Sequence, residues 1–229
     1  MDLSLVDQLL LLSLNDEKGN FTGDSNSLGI AVSMGIIFEL ALKNRISISD
    51  KNIIVQNSEG LNDELLDFCF SEIVKFNKPR SLKEWVQDFQ WKFDKIKQMS
   101  LQKLIDLGIL KQKEEKFLWI FSKSLYPSEN LLPENQLRRR IYEIVFNGER
   151  PSVQEIILLG IIDSLNLTLV FFGEKTKVES KKILKDYYSR IDEFGLINDT
   201  VKIINEEILA LSTSLMTFVS TTTVLNSLN

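Results

Sequence analysis

Leu28-Gly29-Ile30-Ala31-Val32-Ser33-Met34-Gly35-Ile36-Ile37-Phe38 is an uncharged run without proline. It lies within a pattern that predicts a helix from about Ser27 to Lys43. A helix that is apolar all round must be covered on every side. This segment is therefore expected to be the central buried helix. Gly29, Ala31, Ser33 and Gly35 give it small residues, so neighbouring elements are expected to approach closely.

Outward from that helix the chain reads as mostly helical. Leu3 to Leu14 predicts a first helix, with Ser4 and Asp7 near capping-box spacing. Asn15 to Asn20 reads as a turn. Arg45 to Gln56 reads as a hairpin turning at Ser49-Asp50-Lys51-Asn52. A third helix spans about Asn62 to Phe76, with Leu65, Phe68, Cys69, Ile73 and Phe76 at helical spacing. Ser81 and Glu84 form a capping box, and helical pattern then continues through Leu104 and Ile105 to a stop at Gly108. Pro133 opens the next helix, and Ser152 with Glu155 caps another that runs through Ile162. Two further helices are expected, from about Val178 to Phe194 and from near Asp199. Ile208 to Asn229 reads as a buried final helix with a polar tail. No linker divides the chain and no repeat is seen. The expectation is a mainly α, compact single-domain helical fold over residues 1–229, with small β-hairpins.

Composition narrows the function. The chain has 229 residues, 44% hydrophobic and 26% charged, the balance of a soluble globular protein. It contains no His, which removes Ser-His-Asp triads and His-ligated metal sites. Its one cysteine, Cys69, excludes an internal disulfide and a zinc finger. Cys69 lies on an apolar stripe, so it reads as a buried structural thiol. There is no P-loop, nucleophile elbow or Rossmann glycine set. Catalytic residues, metal and cofactor are all expected to be none, and the protein non-enzymatic. The net charge of -5 weakens a nucleic-acid reading. The start lacks the positive region of a secretory signal, and no stretch of about 20 mostly apolar residues occurs. A cytoplasmic protein is expected, with peripheral membrane contact open.

Two features stand out. Arg138-Arg139-Arg140 lies in the first turns of a helix, where neighbours are about 100° apart and cannot share one face. It reads either as a salt-bridged surface or as a basic patch for phosphates or acidic peptides. The second is Phe117-Leu118-Trp119-Ile120-Phe121, expected to be one strand paired with Ile109-Leu110 around a charged turn, Lys111 to Lys116. Alternation would put Phe117, Trp119 and Phe121 on one face, with Leu118 and Ile120 on the other. An exposed apolar hairpin flanked by Lys111, Lys113, Lys116 and Lys123 suits a membrane surface or a partner protein. A covered core strand, or the wing of a winged-helix module, are the alternatives.

Leu3 to Leu14 followed by Asp16 and Gly19, and Glu39-Leu40-Ala41-Leu42-Lys43-Asn44-Arg45-Ile46, resemble two motifs of the Golgi phosphoprotein 3 family. Leu104 to Leu110, then Phe117-Leu118, is similar to its helix and hairpin. The similarity runs from Leu3 to about Phe218. The resemblance implies a mainly helical fold and a non-enzymatic peripheral membrane adaptor. Such an adaptor binds phosphatidylinositol 4-phosphate in a shallow basic pocket, inserts a hydrophobic hairpin and holds Golgi enzymes by their cytosolic tails. Carried over by position, the pocket's Trp falls on Asp24 or a neighbour, and its helical Arg on Ser33. Two further Arg positions fall on Asp94 and Lys97. Only Lys97 keeps the charge, so the pocket is expected to be largely lost, while the hairpin matches through Phe117 to Ile120. The expected partners are a membrane surface or anionic lipid, protein tails or other proteins, and a second copy of the chain, with no nucleic acid. The alternatives are a soluble protein-binding scaffold with no lipid function and, ranked last, a winged-helix DNA-binding regulator.

Overall fold

Helix α1 (Leu5–Leu12) starts at Ser4, whose side chain accepts the Asp7 N–H while Asp7 accepts the Ser4 N–H. This reciprocal capping satisfies two donors that the first helical turn leaves over. The computed structural model describes residues 3–76, 78–117, 121–165 and 167, together with Lys182 and Glu206. The helices expected from Val178 and Asp199, and the final segment, lie outside the described residues.

Helix α2 (Ser25–Leu42) begins two residues earlier than the apolar pattern alone predicts, because Asp24 caps it by accepting the Ser27 N–H at 2.7 Å. At 1.5 Å per residue it is about 27 Å long. This corrects the expectation that no stretch has spanning length: by length and composition α2 is apolar enough to cross a membrane, yet 78% of it is buried inside the fold. Every residue from Leu28 to Ala41 is buried, as the uncharged run predicts. Helices α1, α3 (Glu64–Lys75), α4 (Leu82–Trp91), α5 (Phe93–Asp106) and α7 (Val153–Ser164) pack around it. A Cβ at Gly35 would meet Leu9 Cδ1 at 3.2 Å, so glycine there lets α1 lie close against α2.

Strands β1 (Ile46–Ser49) and β2 (Asn52–Val55) form the expected hairpin, and a short β3 (Arg80–Ser81) extends the sheet in the order β1-β2-β3. Asp50 and Lys51 both have positive φ, 50° and 64°, as a two-residue hairpin turn demands. The capping boxes at Ser81/Glu84 and Ser152/Glu155 are present. Helix α6 (Leu132–Asn147) has Pro133 in its first turn and ends at Gly148 with φ 73°. Two expectations shift. Phe76 lies beyond the end of α3, 45% exposed, where its ring packs edge-on against Trp85 under Arg80. The helical pattern after Ser81 breaks at Lys92 into α4 and α5.

The second hairpin differs from the expectation. Its strands are β4 (Lys113–Phe117) and β5 (Phe121–Leu125), and Phe117 pairs with Phe121. The charged stretch Lys111 to Lys116 is therefore no turn, since most of it is strand. Residues 117–121 do not form one strand either, because Phe117 closes β4 and Phe121 opens β5, and the two pair with each other. Ile109 and Leu110 are core residues, and Leu110 makes an isolated bridge to Ser128. The wholly charged run Lys113-Glu114-Glu115-Lys116 shows no apolar alternation, which conceals the strand.

The core is in two parts. The larger surrounds α2. The smaller joins Leu3, Leu11 and Leu14 to Leu101, Leu104, Ile109 and Leu110, with Phe21 and Tyr126 against it. This smaller cluster lies under the root of the β4–β5 hairpin.

Candidate functional site

The β4–β5 hairpin forms a two-stranded sheet of its own. Lys113, Glu114, Glu115 and Ser124 are exposed. A ribbon with solvent along its strands cannot be held by its own apolar burial, so its position depends on its root. There, Lys111 N–H donates to Pro127 O, Tyr126 N–H to Gly19 O at 2.7 Å, and Ser128 N–H to Asp16 O at 3.2 Å. The turn between α1 and α2 thus grips the chain just after β5. Gly19 sits there at φ 67°, and a Cβ on it would fall 2.2 Å from Pro127 N. Asp16 and Gly19, singled out as motif residues, are the two that make this grip. Lys111 also pairs with Glu129 at 2.5 Å. Leu118, Trp119 and Ile120 lie outside the described residues.

The positions mapped to a lipid pocket lie on two helices: Asp24 and Ser33 at the cap and in the first half of α2, Asp94 and Lys97 in the first turns of α5. Lys97 pairs with Asp94 at 2.7 Å, and its ammonium lies 4.9 Å from the Phe93 ring and 5.8 Å from the Phe21 ring. Ser33 is fully buried and donates to Gly29 O at 2.8 Å. Asp24 is occupied as the α2 cap. The one cation at these positions is thus already met by a carboxylate, and the aromatic in the preceding loop that reaches it is Phe21.

The arginine triplet fans out as helical geometry requires. Arg138 pairs with Glu134 at 2.6 Å and donates to Leu12 O at 3.2 Å. Arg140 donates to both Glu155 oxygens and to Arg150 O. Burial pushes the Glu155 carboxyl up, but hydrogen bonds from Arg140 and Ser152 outweigh it and leave the carboxyl below its ordinary range. Arg139, with 73% of its side chain exposed, meets Glu143 at 3.6 Å.

A buried ionic network was not legible beforehand. Asp7, fully buried, accepts from Ser100 Oγ at 2.6 Å and from Lys103 Nζ at 2.7 Å. Lys103 also donates to Asp63 at 2.7 Å. Burial alone would lower the Lys103 ammonium, but the two carboxylates raise it above its ordinary value. Burial likewise pushes Asp63 up, and the Lys103 and Leu66 hydrogen bonds bring it net down. Glu39 accepts the Leu5 N–H at 2.7 Å, and burial pushes its carboxyl up. A cavity of about 360 Å³ opens beside these groups, lined by Ser4, Glu39, Asp63, Lys103 and Gln154. The sequence signal available was Asp7 itself, an acid inside a leucine run. Cys69 is buried, and burial pushes its thiol up to about 12. Trp91 is 89% exposed, off the buried Trp85, Val86 and Phe89 stripe of α4. Among the described residues no group of three or more His, Cys, Asp or Glu is placed to hold a metal ion.

Residues 5–194 match the family described as Golgi phosphoprotein 3 (GPP34). The chain is also similar to vacuolar protein sorting-associated protein 74 of Eremothecium gossypii, at 23% identity over 164 residues. That similarity covers 62% of this chain and 49% of the relative, so the chain spans about half the length of the curated protein it matches.

Proposed function

Since this chain belongs to the Golgi phosphoprotein 3 family, we propose that it is a non-enzymatic peripheral membrane adaptor whose β4–β5 hairpin makes the contact. The observation that carries this is the hairpin, a separate two-stranded ribbon rooted on the α1–α2 turn. Its strands end and begin at the paired Phe117 and Phe121, which bound the apolar run, and the sequences of the strands include Lys113, Lys116 and Lys123. Apolar side chains between cations suit an anionic interface. In a eukaryotic cell the membrane is that of the Golgi, and residues 1–229 act as one domain.

Selective recognition of phosphatidylinositol 4-phosphate is weak or absent in this proposal. A phosphomonoester needs converging cations or N–H donors. Lys97 alone remains, paired to Asp94, while Ser33 is buried and Asp24 would repel the ligand. Two lost charged hydrogen bonds, at roughly 1.5–3 kcal/mol each, lower affinity at least tenfold.

Flotation of the purified protein with liposomes tests both parts. Binding to phosphatidylserine vesicles that vanishes in a Leu118→Ser/Ile120→Ser variant is the expected result. Binding unchanged in that variant overturns the hairpin's role. Selectivity for phosphatidylinositol 4-phosphate at equal charge overturns the lost pocket. No flotation with any anionic vesicle leaves a soluble protein-binding scaffold as the function.

A further inference from the structure

Glu39, near the end of α2, is 4% exposed and lines the cavity of about 360 Å³ beside the start of α1. That volume is within the range of small-molecule sites, about 300–1,000 Å³. Glu39 Oε2 accepts the Leu5 N–H at 2.7 Å. Among the described groups no donor reaches Oε1: the Lys43 ammonium stands 3.7 Å away, beyond hydrogen-bonding distance. A buried carboxylate oxygen left without a donor at a cavity wall is a place for a ligand's N–H.

The same cavity holds unused groups of the opposite kind. Lys103 spends two of its three N–H donors on Asp7 and Asp63, and one is left over. Lys43, with 41% of its side chain exposed, meets only the distant Glu39. Gln154 donates to Leu3 O at 3.4 Å and keeps its amide oxygen as an acceptor. Leu42, Leu61 and Leu66 supply an apolar wall.

We propose that this cavity binds a small zwitterion, a free α-amino acid with an aliphatic side chain. The ligand ammonium donates to Glu39 Oε1 and to the Gln154 amide oxygen. Its carboxylate accepts from Lys43 and from the spare Lys103 donor, and its side chain packs on the three leucines. Lys43 swings outward on its flexible stem to admit it. A plain amine would leave the lysine donors unanswered, and a plain carboxylate would be repelled by Glu39 and Asp63. Burial pushes the Glu39 carboxyl up; the Leu5 N–H and Lys43 oppose that rise, while Asp7 and Asp63 add to it, so a cation at Oε1 is welcome. The site uses no residue of the hairpin and is independent of membrane contact.

Titration of the full chain with L-leucine, followed by calorimetry and amide NMR, tests it. Saturable binding with Kd of about 1 mM or tighter is expected. The shifts should centre on the amides of Leu5 and Leu66, which donate to Glu39 and Asp63. Isoamylamine, which lacks the carboxylate, and isocaproate, which lacks the ammonium, should each bind at least about tenfold more weakly. Glu39→Gln still accepts the Leu5 N–H but carries no charge, and should weaken leucine binding at least about tenfold. Lys43→Met, at the exposed end of α2, decides the matter if that variant does not fold, and should weaken leucine binding about threefold or more. No saturation at about 10 mM leucine overturns the site. So does either single-charge analogue binding as tightly as leucine, or an affinity unchanged in a variant that folds.

Discussion

The backbone carbonyl of Gly19 accepts the Tyr126 N–H at 2.7 Å, joining the turn after α1 to the chain leaving β5. Gly19→Ala should be severely destabilising. Its φ of 67° strains any L side chain, and the added Cβ would lie 2.4 Å or less from the backbone of Tyr126 and Pro127. Backbone cannot yield as a side-chain tip does, so a loss of about 3 kcal/mol or more is expected in urea denaturation. A loss under about 1 kcal/mol would mean the turn is not held against the hairpin root.

Lys103→Met should cost about 3 kcal/mol, because it leaves the buried Asp7 side chain without its cationic partner. Asp63→Asn should cost less, since the Asp63 side chain is 18% exposed and that of Asp7 only 1%. The linkage has a definite sign. Asp63 is held below 3.8, so its contribution is present at neutral pH and is lost as the solution is acidified through the folded value. Lys103 is held above 10.5, and its contribution is lost only as pH rises past that value. Denaturation midpoints of the wild type and the two variants, measured in acid, at neutral pH and in strong alkali, check both statements.

Cys69 should resist thiol reagents. Burial pushes its pKa to about 12, so thiolate is scarce at mildly alkaline pH, and the sulfur is out of reach as well. Ellman's reagent should label the native protein only at the rate of unfolding, and the urea-denatured protein at once. Prompt labelling of the native state would contradict the packing of α3 on α2.

The three adjacent arginines should separate in an alanine series. Arg139→Ala should lie within about 0.5 kcal/mol of wild type, as for exposed pairs generally. Arg140→Ala should cost about 1–2 kcal/mol, because it removes bonds to Glu155 and to the Arg150 carbonyl. Thermal melts of the single variants decide it, and equal costs would show that the pairing is unimportant.

The helices were legible where a periodic apolar stripe met an explicit cap, as at Ser4, Ser81 and Ser152. The buried helix α2 was legible from its lack of charge. The β4–β5 strands were misplaced for a physical reason. A strand exposed on both sides, as Lys113 to Glu115 are, needs no apolar alternation, so the charged run of β4 carries none. The Asp7–Lys103–Asp63 network was hidden because its members are far apart along the chain and look like ordinary surface charges. Glu134 carried no signal in the sequence, and only the fold reveals that it is buried against Arg138.

Helix α2 has a history during synthesis that its mature surroundings conceal. It leaves the ribosome before α3, α4, α5 and α7, all of which cover it. Until those arrive, the nascent chain displays an apolar rod with the dimensions of a bilayer-spanning segment. The chain must therefore either collapse onto α2 quickly or be shielded while it lengthens. The same logic limits dissection: a fragment ending before Val153 lacks α7 and leaves one flank of that rod bare.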